Sequence, residues 1–173
     1  MHSFETIQEK AIQLLKSCGK LTAPVNLEAI AEYLSLRLEP SIMDEDTSGM
    51  LVIKNGNGII GFNHRHPDVR KRFTIAHEIG HYILHHVKAD ESDDLYVDKT
   101  VSIYHRKDQS NREEKEANVF AASLLMPEDL VKKEASKFIA IGDSEIEKLA
   151  EHFEVSIISM TYRLMNLGVI ETD

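Results

Sequence analysis

The stretch from Pro67 to His86 constrains this chain most. Val69, Phe73, Ala76, Gly80 and Leu84 recur along one side of it, the period of an amphipathic helix that must lie against other apolar surface. Pro67 suits a first helical turn because it has no N–H to leave unsatisfied, and Asp68 is favourable at the positive end of the helix. At 3.6 residues per turn His77 and His81 share a face of this helix, with Glu78 about 100° round. Six of the chain's histidines, His64, His66, His77, His81, His85 and His86, fall in this short region. Gly80 lacks a side chain between the two central ones, which costs about 1 kcal/mol of helix propensity but allows another segment to come close.

The remaining elements follow from periodicity and turn signals. Residues 4–17 place Phe4, Ile7, Ala11, Leu14 and Leu15 on one helical face, and a second helix is expected from about Asn26 to Leu34, after Pro24. Two β-branched runs, Met50–Ile53 and Ile59–Phe62, flank Asn55-Gly56-Asn57-Gly58 and read as a β-hairpin. Residues 88–111 are polar, with Val101–Tyr104 alternating, and are expected to form a loop with one short strand. Helical spacing resumes at about Arg112 and runs to Met126, where Pro127 ends one helix and opens the next. The last third reads as all-helical, and Leu149–Leu167 has the outline of a helix-turn-helix with its turn near Glu154–Val155. The expectation is an α+β fold, mostly helical with a small antiparallel sheet. It forms one domain over residues 1–173, with a core at about 24–127 and a helical tail at about 128–173.

Composition excludes several classes of function. A chain of 173 residues, 42% hydrophobic, has enough material for one buried core without cross-links, and the single Cys18 excludes a disulfide scaffold; Cys18 reads as an ordinary partly buried thiol. The longest run without Asp, Glu, Lys or Arg is residues 117–127, far below the roughly 18 apolar residues a membrane span needs. With no basic-then-apolar leader at the start, the expected location is cytoplasmic. The formal net charge is −9, which repels nucleic acid on average. The tail is more acidic still: from Gly142 to Asp173 seven acids face two bases, a net of −5. Its helix-turn-helix outline is therefore expected to pack or to bind protein, and not to bind DNA.

His77-Glu78-Ile79-Gly80-His81 is an HExxH pattern. Two imidazoles one turn apart can share one cation, and a catalytic zinc site takes three protein ligands and leaves a fourth position for water. A third ligand is expected from the acidic cluster Glu113-Glu114-Lys115-Glu116. Glu114 lies three, seven and ten residues before Ala117, Ala121 and Leu124, on the inward face of that helix, while Glu113 and Glu116 lean elsewhere. Asn118, one turn later, is placed to hydrogen-bond a ligand imidazole.

RFTIAHEIGHYILHH (residues 72–86), followed by EKEANVFAASLLMP (residues 114–127), resembles the ImmA/IrrE family of HExxH metallopeptidase domains. The likeness extends to PVNLEAIAEYLSL (residues 24–36) and to the hairpin, and more loosely to the tail. It implies a zincin-like helix and one zinc ion per chain held by His77, His81 and a glutamate, here Glu114, with Glu78 as general base. The family pattern also carries an acidic or amide residue before the alanine, here Glu116, so Glu113 and Glu116 stay open as replacements for Glu114. Candidate partners of the ligands or of an oxyanion are Asn118, His85, Tyr104 and His105. Substrate is expected to add as a strand beside Ile59–Phe62. The resemblance further implies action on a regulatory protein, a helix-turn-helix repressor of a phage, mobile-element or stress circuit. The alternative is a non-catalytic sensor on the same fold that holds a partner without cutting it.

Overall fold

Ser3 opens the first helix by accepting a hydrogen bond from the Thr6 amide on its side-chain oxygen (3.2 Å), which satisfies one of the donors a helix start leaves bare. The computed structural model describes residues 3–19, 21–54, 57–85 and 108–171. Its elements are α1 (Phe4–Ser17), α2 (Leu27–Tyr33), β1 (Leu36–Ser41), β2 (Gly49–Lys54), β3 (Asn57–Asn63), α3 (Asp68–Ile83), α4 (Asp108–Leu125), α5 (Glu128–Ala135), α6 (Asp143–Phe153) and α7 (Ile157–Asn166). The expected α+β class is what these elements form. Asn26 caps α2 through the Ala29 amide at 2.8 Å, and Ser156 caps α7 through the Ser159 amide at 3.1 Å.

The sheet departs from the expected antiparallel one. Its order is β1-β3-β2: β2 and β3 form the expected antiparallel hairpin, but β1 lies parallel to β3, with Leu36 opposite Gly58 and Ser41 opposite Asn63. After α2 the backbone turns through Ser35 at φ 57, and Leu36 and Leu38 then alternate with Arg37 and Glu39. That alternation is short and ends at Pro40, which lacks a ladder donor and is tolerated because β1 is an edge strand. β3 is thus central, with a neighbour on each side.

The loop from β1 to β2 is held from beneath by a buried asparagine. Asn63 Nδ2 donates to the carbonyl oxygens of Asp44 (3.2 Å) and Thr47 (3.0 Å). His64 Nδ1 and His66 Nε2 lie 3.1 and 3.2 Å from the carbonyl oxygens of Ser41 and Glu45, so two of the clustered histidines serve this loop.

The core runs between the sheet and the helices: Leu51 and Ile60 from the strands, Ala76 and Ile79 from α3, Phe120 and Leu124 from α4, and Leu15 from α1 are all fully buried. Helix α4 begins at Asp108, four residues before the expected Arg112, because the polar residues of its first turn carry no apolar period to read. Among the described residues no helix is long and apolar enough to cross a membrane.

The tail is the expected helix-turn-helix in outline, with Glu154 in a left-handed conformation at the turn (φ 53). It is fastened to the core by Arg163, 4% exposed, whose Nε donates to the Met126 carbonyl oxygen at 2.9 Å. Arg163→Met keeps an unbranched apolar stem and removes that donor, leaving a buried carbonyl unsatisfied. A loss of about 1–3 kcal/mol is expected, measured as a lower midpoint in thermal or urea unfolding; an unchanged midpoint would show that the bond is dispensable.

Candidate metal centre

Helices α3 and α4 cross closely because Gly80 faces Ala117. A Cβ on Gly80 would stand 3.2 Å from both Cα and the carbonyl oxygen of Ala117, tighter than ordinary contact, so the glycine sets how near α4 can come. Glu114 lies one turn before Ala117 and is thereby brought over the imidazoles of α3.

Three donor side chains converge there. His77 Nε2 and His81 Nε2 are 2.9 Å apart, His77 Nε2 is 3.2 Å from Glu114 Oε2, and His81 Nε2 is 3.5 Å from Glu114 Oε1. Ligands at 2.0–2.1 Å around a tetrahedral ion stand about 3.3 Å from one another, so this spacing fits one small divalent cation. Among the described residues this is the group of three such side chains that could hold a metal ion. His77 and His81 are buried, at 3% and 1% exposure, and their rings meet edge to face.

The tautomer of His77 is set from behind. Its Nδ1 lies 3.0 Å from Asn118 Oδ1; the oxygen accepts, so Nδ1 carries a proton, and Nε2 offers either a lone pair to a cation or, when the ring is protonated, a hydrogen bond to Glu114. Burial pulls the His77 pKa down, but the hydrogen bond to Glu114, the charges of Glu78 and Glu114 and the bond to Asn118 outweigh it and leave it raised. The pocket therefore favours positive charge. Asn118→Ala is expected to weaken divalent-metal binding about 10–100-fold with little change in the fold, as read by competition with a coloured chelator. Unaltered affinity would reduce Asn118 to a packing residue.

Glu78 is fully buried and lies under the start of β2. A Cβ on Gly49 would stand 3.5 Å from Glu78 Oε1, 2.9 Å from the Gly61 carbonyl oxygen and 2.3 Å from Thr74 Cγ2, so only glycine lets this strand settle so close to α3. Gly49 is not among the residues expected at the site; its signal is a glycine at the first position of a strand that faces the HExxH helix.

The other expected residues fall differently. Glu116 pairs with Arg112 Nε at 2.9 Å within α4, and neither it nor Glu113 is among the three converging donors. His85 is exposed, past the last residue of α3, with φ 57. The helix ends there, so His85 does not continue the buried face of His77 and His81, and the structure does not bring it into the donor group. Tyr104 and His105 lie outside the described residues, as does the expected strand at Val101–Tyr104. The expected strand addition beside Ile59–Phe62 is corrected: those residues are in β3, whose two edges are filled by β1 and β2.

Fold and site together define an α+β domain whose HExxH helix and following helix frame a cation-sized cluster of donors. The chain belongs to the peptidase family whose model is described as the IrrE N-terminal-like domain, which matches residues 31–165. It is 36% identical over 99 residues to the radiation response metalloprotease IrrE of Deinococcus radiodurans, covering 55% of this chain and 27% of that protein. A Mycobacterium tuberculosis transcriptional regulator shares the fold, with a TM-score of 0.57 and 15% identity over 92% of this chain and 46% of that one. The chain thus spans about a quarter of the length of the curated relative and just under half of the solved structure.

Proposed function

We propose that this chain is a zinc-dependent, site-specific endopeptidase that cuts a regulatory protein, with a helix-turn-helix repressor as the candidate substrate. The observation that carries the reading is the convergence of His77 Nε2, His81 Nε2 and a Glu114 oxygen at cation-sized spacing, with the Glu78 carboxylate adjoining on the same helix. Zinc bound there would acidify the attacking water and polarise the scissile carbonyl. His77, His81 and Glu114 hold the ion, and Asn118 orients His77. A Glu78 carboxylate oxygen takes the proton from the water and then passes it to the departing nitrogen, so that neither free hydroxide nor an amide anion has to form.

Substrate alignment follows from the sheet. β1 and β2 are the edge strands among the described residues, and β2 begins at Gly49 above Glu78. An extended peptide that adds along the open side of β2 has its backbone near the general base, held by main-chain hydrogen bonds that do not depend on its sequence. Specificity for one protein must then come from contacts elsewhere.

The test is direct. Purified chain is assayed for stoichiometric zinc and incubated with a candidate helix-turn-helix repressor from its native cells. Zinc together with a single new fragment is the expected result. Zinc and repressor binding with no fragment would select the sensor reading, and absence of bound divalent metal would sink the zinc centre.

A further inference from the structure

The second helix of the tail pair carries three exposed large apolar side chains that the peptidase reading leaves unused. On α7, Ile157, Ile158 and Tyr162 are 51%, 70% and 64% exposed, and Ile158 and Tyr162 stand one turn apart on the solvent side. The one charged residue of α7, Arg163, is turned inward onto the Met126 carbonyl. In a DNA reader this helix would supply lysine and arginine to phosphates and bases. Here it shows solvent an uncharged apolar ridge.

Charge decides what fits against it. On the preceding helix Asp143, Glu147 and Glu151 recur at four-residue spacing on the exposed side, followed by exposed Glu154. Glu154 is bridged to Arg72 Nη1 at 3.2 Å, and Glu147 and Glu151 have no ion-pair partner among the described residues. Glu151 and Glu154 also border a cleft lined by Phe62, Ile75 and Val155, whose two bases, Lys71 and Arg72, are paired with Asp68 and Glu154. A second copy of the chain would bring its own acidic ridge and a net charge of −9, and nucleic acid would bring phosphates; both are repelled. A cationic amphipathic helix meets both features: its apolar face covers Ile158 and Tyr162, and flanking lysines and arginines face the α6 carboxylates. Tyrosine at the centre of such a patch is a common anchor of binding energy.

We propose that the outer face of α7, together with the acidic ridge of α6, is a docking surface for a lysine- and arginine-edged amphipathic helix of the regulatory protein on which the metal centre acts. The regulator's identity as substrate rests on the function proposed above; the cationic amphipathic character rests on this surface. Such a site supplies the selectivity that strand addition at β2 lacks.

The experiment replaces Tyr162 by the photo-crosslinker benzoylphenylalanine in the full chain, expressed in its native cells with Glu78→Gln so that a bound substrate is not consumed. One dominant adduct is expected, mapped by mass spectrometry to a basic amphipathic helix of a DNA-binding protein. Adding Ile158→Asp should lower its yield at least about tenfold, Ile158→Leu should restore it, and the same label at fully exposed Ile139 should not form it. An adduct with a second copy, with nucleic acid or with a helix lacking basic residues, or no adduct at all, overturns the docking surface. The two proposals fail separately. An adduct that persists although the wild-type chain never cuts the partner removes only the peptidase reading. A partner cut at the normal rate by an Ile158→Asp, Tyr162→Asp chain removes only the docking surface.

Discussion

Glu78→Gln is expected to lower peptide hydrolysis by at least about 10²–10⁴-fold, the usual contribution of a positioned general base, while zinc content and thermal stability should stay near those of the wild type. Glutamine keeps the volume and planarity of the side chain, so the packing of α3 beneath Gly49 is preserved. What it loses is the ability to take up a proton. The three proposed metal donors belong to other residues, which is why metal content and activity should separate. Single-turnover cleavage of the repressor, followed on a gel with zinc measured in the same sample, provides the check. Cleavage that continues undiminished in the variant would show that Glu78 is not the base and that the proton path lies elsewhere.

Glu114→Ala is expected to weaken zinc binding by more than about 100-fold, exceeding the loss typical of groups behind the ligands. The carboxylate is the anionic member of the trio and reaches both imidazoles. Its removal leaves two neutral nitrogens from one helix and nothing from α4. Stability should follow by mass action: zinc at 100 times its dissociation constant stabilises the folded chain by about 2.7 kcal/mol, and the variant should lose most of that added stability. Glu116→Ala is the matched control, because Glu116 is paired with Arg112 and should bind zinc normally. Chelator competition and unfolding with and without zinc distinguish the two. A larger loss from Glu116→Ala or Glu113→Ala would mean that α4 is rotated relative to the arrangement described here.

The two largest effects fall on residues that were readable in advance, and the reason is local. His77, Glu78 and His81 are positioned by 3.6-residue periodicity within a single helix, and the stripe of Ala117, Ala121 and Leu124 places Glu114 on the buried face of α4. Asn118 follows from the same period. The hairpin was equally visible, since Asn55–Gly58 separates two β-branched runs. β1 was not: Leu36–Ser41 offers only two alternations before Pro40, and its partner β3 lies some twenty residues away. Arg163 reads as one of two bases in an acidic tail, and nothing in its neighbours along the chain announces a buried bond to Met126. At His85 the difference runs the other way: the helical period continues through it in the sequence, while the backbone leaves the helix at Leu84.

Local periodicity along the chain sets which side chains share a helical face, including the paired histidines and their neighbouring glutamate, because those relations span a turn or two of backbone. Packing between distant segments brings the three donor side chains to 2.9–3.5 Å of one another, encloses β3 between β1 and β2 so that β2 is an edge strand among the described residues, and turns Arg163 inward, which leaves α7 apolar. Each of these depends on packing between segments distant in the chain, through the contact at Gly80 and Ala117, the parallel pairing of β1 and the buried carbonyl of Met126. No local period encodes such contacts.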